Sequence, residues 1–586
     1  MRHLTGIDGV ADTPQPRLRS GRVIWALVVA AAIVVGACSP ASTPSPSTTA
    51  AASGSAPTAS GGPTSAPTAT PQALPVSGSS LTVCVPTIGA QDWTPWLSGN
   101  EEEMVTREVG DVLIGINEQG ELVPGIATSW ELSSDLSTWT FKIRDDVPFH
   151  GDYGFVTAED VKFSVEQYLH PDSNQSITNQ LKAALQDDID NFEVVSPTEF
   201  KINMDPANPV VFLDTVLSKA VPGLPINSKK YYEDLGDEAF KRPHGTGPYE
   251  MVSSEPGIGV VLKAVPNHWR QTAHYETINI DIVEDEASRV SLLKTGECDL
   301  APLSPVQLKE AAADGVKEYV VRDVGTGSMV FGGWYYHLPD KLDCDAPWIQ
   351  CNAPEKGRAI REAMSLAIDR ATILDKIFFG YGSLLHAGAF EWPSRPATVD
   401  PSWTLPEFNV EKAKTKLAEG GYPDGFPISQ WIYLDVPGTV EAGQAVAGMW
   451  EDIGLDVTQE IVDYRLVVRE AMRNTKDTAG HSFMRFSSNY PDAVQAIAVA
   501  HGVAAASQAY THPLVDEYYD KMKIEPDRAK RDALARELMT KMRDEWVMAP
   551  LYTVDATWGA SDKVGTWSPV AGYGGNRPTN MEGIRP

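Results

Sequence analysis

The chain has 586 residues, more than one hydrophobic core usually organises, so two or three domains or lobes are expected. Lys plus Arg number 48 and Asp plus Glu 78, a formal net charge of −30 at pH 7. That excess repels phosphate backbones and anionic lipid headgroups, which argues against nucleic acid as a partner and otherwise reads as a well-solvated surface.

The N-terminus reads as targeting. Arg17, Arg19 and Arg22 precede the 14-residue apolar run "VIWALVVAAAIVVG", which is too short to span a bilayer comfortably. The following "VVGAC" resembles the lipobox of bacterial lipoproteins, which implies a signal peptide over residues 1–37 and diacylglycerol attachment to the Cys38 thiol. An ordinary cleaved signal with an incidental cysteine is the alternative. From Ser39 to Ser80 only Gln72, Leu74 and Val76 are not Ala, Ser, Thr, Pro or Gly. Residues 38–80 therefore form no core and are expected to be a disordered tether with a reach of roughly 35 to 40 Å.

Further along, "WTFKIR" alternates Trp139, Phe141 and Ile143 with Thr140, Lys142 and Arg144, the period of a half-buried strand. "DDVPFHGD" then crowds Asp145, Asp146, His150 and Asp152 together. Its Asp, Pro and Gly punctuation reads as turn chemistry, and no second histidine at ligand spacing supports a metal or acid/base site. Thr157 opens a capping-box pattern, "TAED", with Val161, Val165, Tyr168 and Leu169 at helical spacing. Ile360, Ala363, Met364, Ala367, Ala371 and Leu374 predict one apolar helical stripe, and Gly420 and Gly421 predict the end of another helix. Four cysteines follow Cys38. Cys344 and Cys351 flank a short loop and can pair in an exported protein, whereas Cys84 and Cys298 read as small buried apolar residues; none has zinc-site spacing.

"LVPGIATSWELSSDLSTWTFKIRDDVPFHGDYGFVTAEDVKFSVEQYL" (122–169) resembles the signature of family 5 extracellular solute-binding proteins, the peptide- and nickel-type receptors of ABC importers. The family usually has "FHDG" where this chain has "FHGD". "GTGPYEMVSSEPGIGVVLKAVPNHW", "LLKTGECDL", "GRAIREAMSLAIDRATILDKIFFGYG", "FNVEKAKTKLAEGGYPDGF" and "GMWEDIGLDV" are similar to further family elements, in family order. The resemblance implies an α/β type II periplasmic-binding-protein fold of two lobes, with an extra subdomain inserted in the first. Lobe I is placed at 81–117, 238–325 and 556–586, the inserted subdomain at 118–237, and lobe II at 326–555.

It also implies capture of a solute between the lobes, without catalysis or cofactor, and delivery to ABC permease subunits in the membrane. Such a receptor is an extracytoplasmic monomer touching the membrane only through its lipid anchor. Expected ligand contacts are Trp93 and Trp96 in "GAQDWTPW", Trp334, Tyr335 and Tyr336 in "GGWYYH", Trp392 in "AFEWP", and Phe486, Asn489 and Asp492 in "RFSSNYPDA". Each aromatic has core packing as its alternative role. Peptide receptors of the family place an acid for the ligand's amino terminus where this chain has Asn489, with Asp492 three residues on, which puts recognition of a free amine in doubt.

Oligopeptides come first among the expected solutes, then oligosaccharides or opine-like conjugates, and nickel last because no histidine cluster is apparent. The rival readings are a secreted hydrolase, though the chain has no Gly-x-Ser-x-Gly elbow or His-Glu-x-x-His pair, and a clamp-fold sensor or adhesin without transport coupling.

Overall fold

The computed structural model describes residues 75–586, apart from 100, 118–120, 174, 176, 206–208, 211–222, 394, 434–437, 489, 491, 504, 506 and 570–576. The leader, Cys38 and most of the expected tether lie outside the described residues. The tether's predicted end is corrected: Val76 to Ser80 already belong to a strand, pairing with Tyr275 to Thr277. No helix among the described residues is long and apolar enough to cross a membrane.

The strands are β1 (Val76–Val85), β2 (Ile114–Ile116), β3 (Leu122–Pro124), β4 (Ala127–Leu132), β5 (Thr138–Ile143), β6 (Phe192–Ser196), β7 (Glu199–Asn203), β8 (Tyr249–Glu255), β9 (Gly259–Ala264), β10 (Tyr275–Ile282), β11 (Leu300–Pro302), β12 (Lys317–Phe331), β13 (Pro427–Ile432), β14 (Asp456–Ile461), β15 (His481–Ser488) and β16 (Ala549–Ala560). Ten of them make one sheet in the order β14-β13-β15-β12-β16-β11-β1-β10-β9-β8. β1 runs parallel to β10 and β11, and β13 runs parallel to β14 and β15. The long antiparallel pair β12 and β16 joins these two halves.

Alternation along the strands feeds separate cores, because successive side chains point to opposite faces. Leu81, Val83 and Val85 enter one core while Cys84 enters another. On β12, Val330 packs with Phe390 and Phe483, whereas Met329 and Phe331 pack with Trp348 and Met364. β12 and β16 lose register midway: Val321 faces Ala556 and Gly325 faces Val554, so β12 carries two extra residues there. Asp323, inside that bulge, sits at φ 51, a left-handed conformation costly for most residues.

A four-stranded antiparallel sheet, β4-β5-β7-β6, holds the stretch read above as strand, turn, cap and helix. Trp139, Phe141 and Ile143 are buried and Lys142 is exposed, as the alternation predicts. The turn contains no acid/base cluster: Arg144 donates from Nε and Nη2 to the Asp146 carboxylate at 2.7 Å, and Asp145 and Asp152 are exposed. His150 is buried and donates from Nε2 to the Gly247 carbonyl at 2.8 Å, while its own amide donates to Gly245 O at 2.9 Å. The glycine turn and the histidine turn are thus stapled together, and burial holds the His150 pKa below its ordinary value. Thr157 caps the helix Ala158–Tyr168 through a capping box with Asp160.

Two predictions need correction. The stripe from Ile360 to Leu374 is split into helices Pro354–Leu366 and Arg370–Lys376. Asp369 restarts the second by accepting from the Thr372 amide at 3.0 Å, which turns Ala371 outward and Ile373 inward. Arg370 is buried across the break and donates to the carbonyls of Ser365 and Ile368, both at 3.0 Å. Cys84 and Cys298 are buried as expected, but they form a disulfide across 214 residues, tying β1 to the residues before β11. Cys344 and Cys351 form a second disulfide closing the short loop.

Candidate functional site

A cleft of about 720 Å³ lies where the two halves of the sheet meet. Its floor is the crossing pair, Val324 and Gly325 of β12 with Val554 to Thr557 of β16. One wall comes from Pro86 after β1 and from Pro302 to Val306; the other comes from Ile377 to Phe379 and from Phe486 to Ser488 at the end of β15. The lining is mainly apolar, with a few polar groups held in fixed positions, the usual constitution of a small-molecule pocket.

Those polar groups are anchored by the fold. Asp555 accepts from the Arg322 guanidinium at 2.6 Å and from the Asp323 amide at 2.9 Å, so it stitches the bulge of β12. Burial nevertheless raises its pKa, with these contacts opposing the rise. Arg289 spends its guanidinium on backbone carbonyls, Pro302 O at 3.1 Å and Val283 O and Glu284 O at 2.8 Å, clipping the wall of the first half. Glu286 holds Ser304 through both its amide and its hydroxyl. Gly438, at φ 79, lies so close to Phe378 that a Cβ there would stand 2.8 Å from the ring, so only glycine lets this wall close.

Of the residues expected to touch a ligand, Phe486 lines this cleft. The others are distributed elsewhere. Trp93 is buried in the core under β1, and half-buried Trp96 stacks on His170 with ring centres 4.4 Å apart. Both lie in a loop fastened by Gln175, whose Nε2 donates to Pro95 O at 2.8 Å and Ser98 O at 2.7 Å. Trp334 receives the Arg361 guanidinium over its ring at 4.3 Å. The two glycines before it are explained by close neighbours: a Cβ on Gly332 would collide with the Thr478 carbonyl, and one on Gly333, at φ 77, would stand 2.8 Å from Asp343 Cβ. Tyr335 is fully buried and donates to Gln508 O at 2.8 Å, and Tyr336 donates to Asp516 Oδ2 at 2.8 Å. Trp392 is buried, with the Arg395 guanidinium 5.5 Å from its ring centre.

Asp492 is spent within the protein. Its Oδ2 accepts from Arg531 Nε at 2.8 Å and Nη2 at 2.7 Å, and its Oδ1 caps the helix Ala493–Ala500 through the Val494 amide at 2.9 Å. Burial would raise its pKa, but the Arg531 charge and these hydrogen bonds outweigh that and keep it lowered. Asn489 lies outside the described residues. Among the described residues no group of three or more His, Cys, Asp or Glu side chains is placed to hold a metal ion.

Residues not anticipated from sequence are Pro86, Leu303, Val306, Phe378 and Val554. Of these only Phe378 falls in a stretch similar to a family element, "GRAIREAMSLAIDRATILDKIFFGYG", and the fold brings the five together. The one available signal was positional and covered Pro86, Leu303 and Phe378, which follow a strand or helix, whereas Val554 lies inside β16 and Val306 near the start of a helix.

An α/β sheet in two halves, joined by two crossing strands and enclosing a cleft at the junction, defines a binding clamp of the type II periplasmic-binding-protein kind. The chain belongs to the bacterial extracellular solute-binding proteins, family 5, whose middle region matches residues 121–541. It is 26% identical over 384 residues to heme-binding protein A of Haemophilus influenzae, covering 60% of this chain and only 64% of that protein. It is 23% identical over 488 residues to the nickel-binding periplasmic protein of Escherichia coli, covering 79% and 87%. Further relatives are named for binding glutathione and di/tripeptides. Its fold superposes on HbpA2 of Haemophilus parasuis with a TM-score of 0.68 at 21% identity, over 85% of this chain and 99% of that one.

Proposed function

We propose that this protein is the capture component of an ABC importer. It takes an organic solute into the cleft between two lobes, with the lobe and insert boundaries set out from the sequence, and presents the closed form to a membrane permease. Cys38, lipidated after signal cleavage, holds it at the outer face of the cell membrane, and the protein acts as a monomer that does not transform what it binds. The observation that carries this reading is the cleft of about 720 Å³ at the junction of the halves, with walls from both and a floor made by the strands joining them. A solute touching both walls favours closure by its extra contacts there, and no chemistry is needed.

That volume suits an organic molecule, within the range of roughly 300–1,000 Å³ usual for ligand pockets. Oligopeptides are the first candidates, since relatives include a di/tripeptide-binding protein. Native mass spectrometry of gently purified protein tests the reading. An organic molecule of several hundred daltons that co-purifies, and that raises the melting temperature without being consumed, supports it. A lone metal ion, or steady turnover of a substrate, overturns it.

A further inference from the structure

We propose that Arg485, with Arg473 beside it, forms a subsite for an oxyanionic group of the captured solute, either carboxylate or phosphate. This rests on the receptor reading above and deepens it, because it makes the solute an acidic organic molecule rather than one held by a free amine.

β15 reads "HSFMRFSS", with one arginine among apolar and hydroxylic residues after His481, and its Phe483 and Met484 are buried. The half-buried Arg485 faces Ser328 across β12. Among the described residues its guanidinium finds a single acceptor, the Phe486 carbonyl, 2.9 Å from Nη1. Nε is shut off from solvent without a hydrogen-bond partner, and so is the Ser328 hydroxyl. No carboxylate among the described residues pairs with Arg485. A partly buried cation lacking a counter-charge is costly unless something else supplies the negative charge.

The surroundings add positive charge and withhold negative charge. Arg473 donates Nε to Ser507 Oγ at 3.2 Å, and desolvation first, then the charges of Arg469 and Arg485, lower its pKa. His501 accompanies them as a neutral ring between Ser487 Oγ at 3.1 Å and Tyr510 OH at 3.2 Å. Three acids of this half are occupied: Asp492 by Arg531, Asp516 by Tyr336 and the Val503 amide, and Glu391 by His386 and the amides of Ala387 and Gly388. In a chain carrying −30 overall, this is a local excess of cations. Position 489, where peptide receptors of the family place an acid, is an uncharged asparagine here.

The subsite adjoins the cleft. Phe486, Ser487 and Ser488, the next three residues of β15, line it. Ser487, on the same face of the strand as Arg485, lines the cleft, so a solute seated over the end of β15 brings its oxyanion to Arg485 from that face.

The test uses the full chain, freed of co-purified solute by reversible unfolding in guanidinium chloride. It is screened by thermal shift and calorimetry against three probe sets: N-acetylated tripeptides with a free carboxylate, the same tripeptides amidated with a free amine, and sugar phosphates. The carboxylate or phosphate set should stabilise the protein and the amidated set should not; the two anionic sets distinguish the sources of the oxyanion. Arg485→Met should weaken the best anionic probe by at least about tenfold, Arg485→Lys by less, and Arg473→Gln by a few-fold. Arg485→Met should also raise the melting temperature of the solute-free protein by about 1–2 °C, which a purely structural arginine would not do.

Tightest binding by the amidated set, or stabilisation by no anionic probe, overturns the subsite. So does wild-type affinity in Arg485→Met, or a lowered solute-free melting temperature. If Arg485→Met does not fold, Arg473→Gln carries the comparison, and wild-type affinity there overturns the proposal. Binding of amines or neutral solutes leaves the receptor reading intact, so the two failures are distinguishable.

Discussion

Asp492 and Arg485 lie seven positions apart on and just after β15, and the protein treats their charges oppositely. Asp492 is buried with two hydrogen bonds from Arg531 and one from a helix amide, so every part of its charge is answered from within. Among the described residues Arg485 has one carbonyl acceptor and no carboxylate. Of the two, only Asp492 is a site candidate on the sequence. The difference teaches that a residue already paired by the fold has little left for a ligand, whereas an unanswered one retains its full affinity for a missing partner.

The contrast can be attacked at its strongest point first. Asp492→Ala leaves Arg531 buried without its carboxylate and should cost about 3–5 kcal/mol in urea unfolding, whereas the joint Asp492→Leu, Arg531→Met replacement should recover most of that. A loss below about 1 kcal/mol for the single variant would show that the pair is not the anchor described here.

The next effect is a pH dependence. His501 is held down to about 3, by burial first and by the Arg485 charge second. The unfolded chain takes up this proton below about 6.5 while the folded protein refuses it until about 3, so its contribution is complete above 6.5 and is lost as pH falls. The slope from this one group is about 1.4 kcal/mol per pH unit within that window. His512 and His244, both held down to about 4, add to it. His501→Gln should flatten the stability profile between pH 6.5 and 4 by one proton's share. Asp492, with its lowered pKa, acts at lower pH, contributing above the ordinary carboxylate range and failing only as pH falls beneath it. An unchanged slope in His501→Gln would remove His501 from the account.

The smallest effect serves as the control. Arg144→Gln breaks an exposed pair with Asp146, and stability should change by no more than about 0.5 kcal/mol.

Local chemistry was legible in the sequence wherever a few adjacent residues decide the outcome. The alternation of β5, the Thr157 cap and the turn character of "DDVPFHGD" follow from short-range rules, and family motifs supplied the architecture. What escaped depends on distant partners. The Cys84–Cys298 link joins residues 214 positions apart, the break at Asp369 depends on burying Arg370 between two helices, and the cleft walls are assembled by the fold. Asp492 illustrates the limit for the site, since nothing near it in sequence announces Arg531, 39 residues on. Arg485 had one visible signal that went unused: a lone cation inside a strand otherwise fit for a core.

The surplus of two residues where β12 passes β16 also has a mechanical meaning. Above and below Asp323 the ladder runs in two independent phases, so twisting one end need not drag the other out of alignment. Asp555 spans that gap with its two acceptor oxygens, like a latch across a swivel. Replacing it by asparagine would weaken that joint while leaving both ladders whole and, because Asp555 also lines the cleft, would change one polar group on the surface a solute meets.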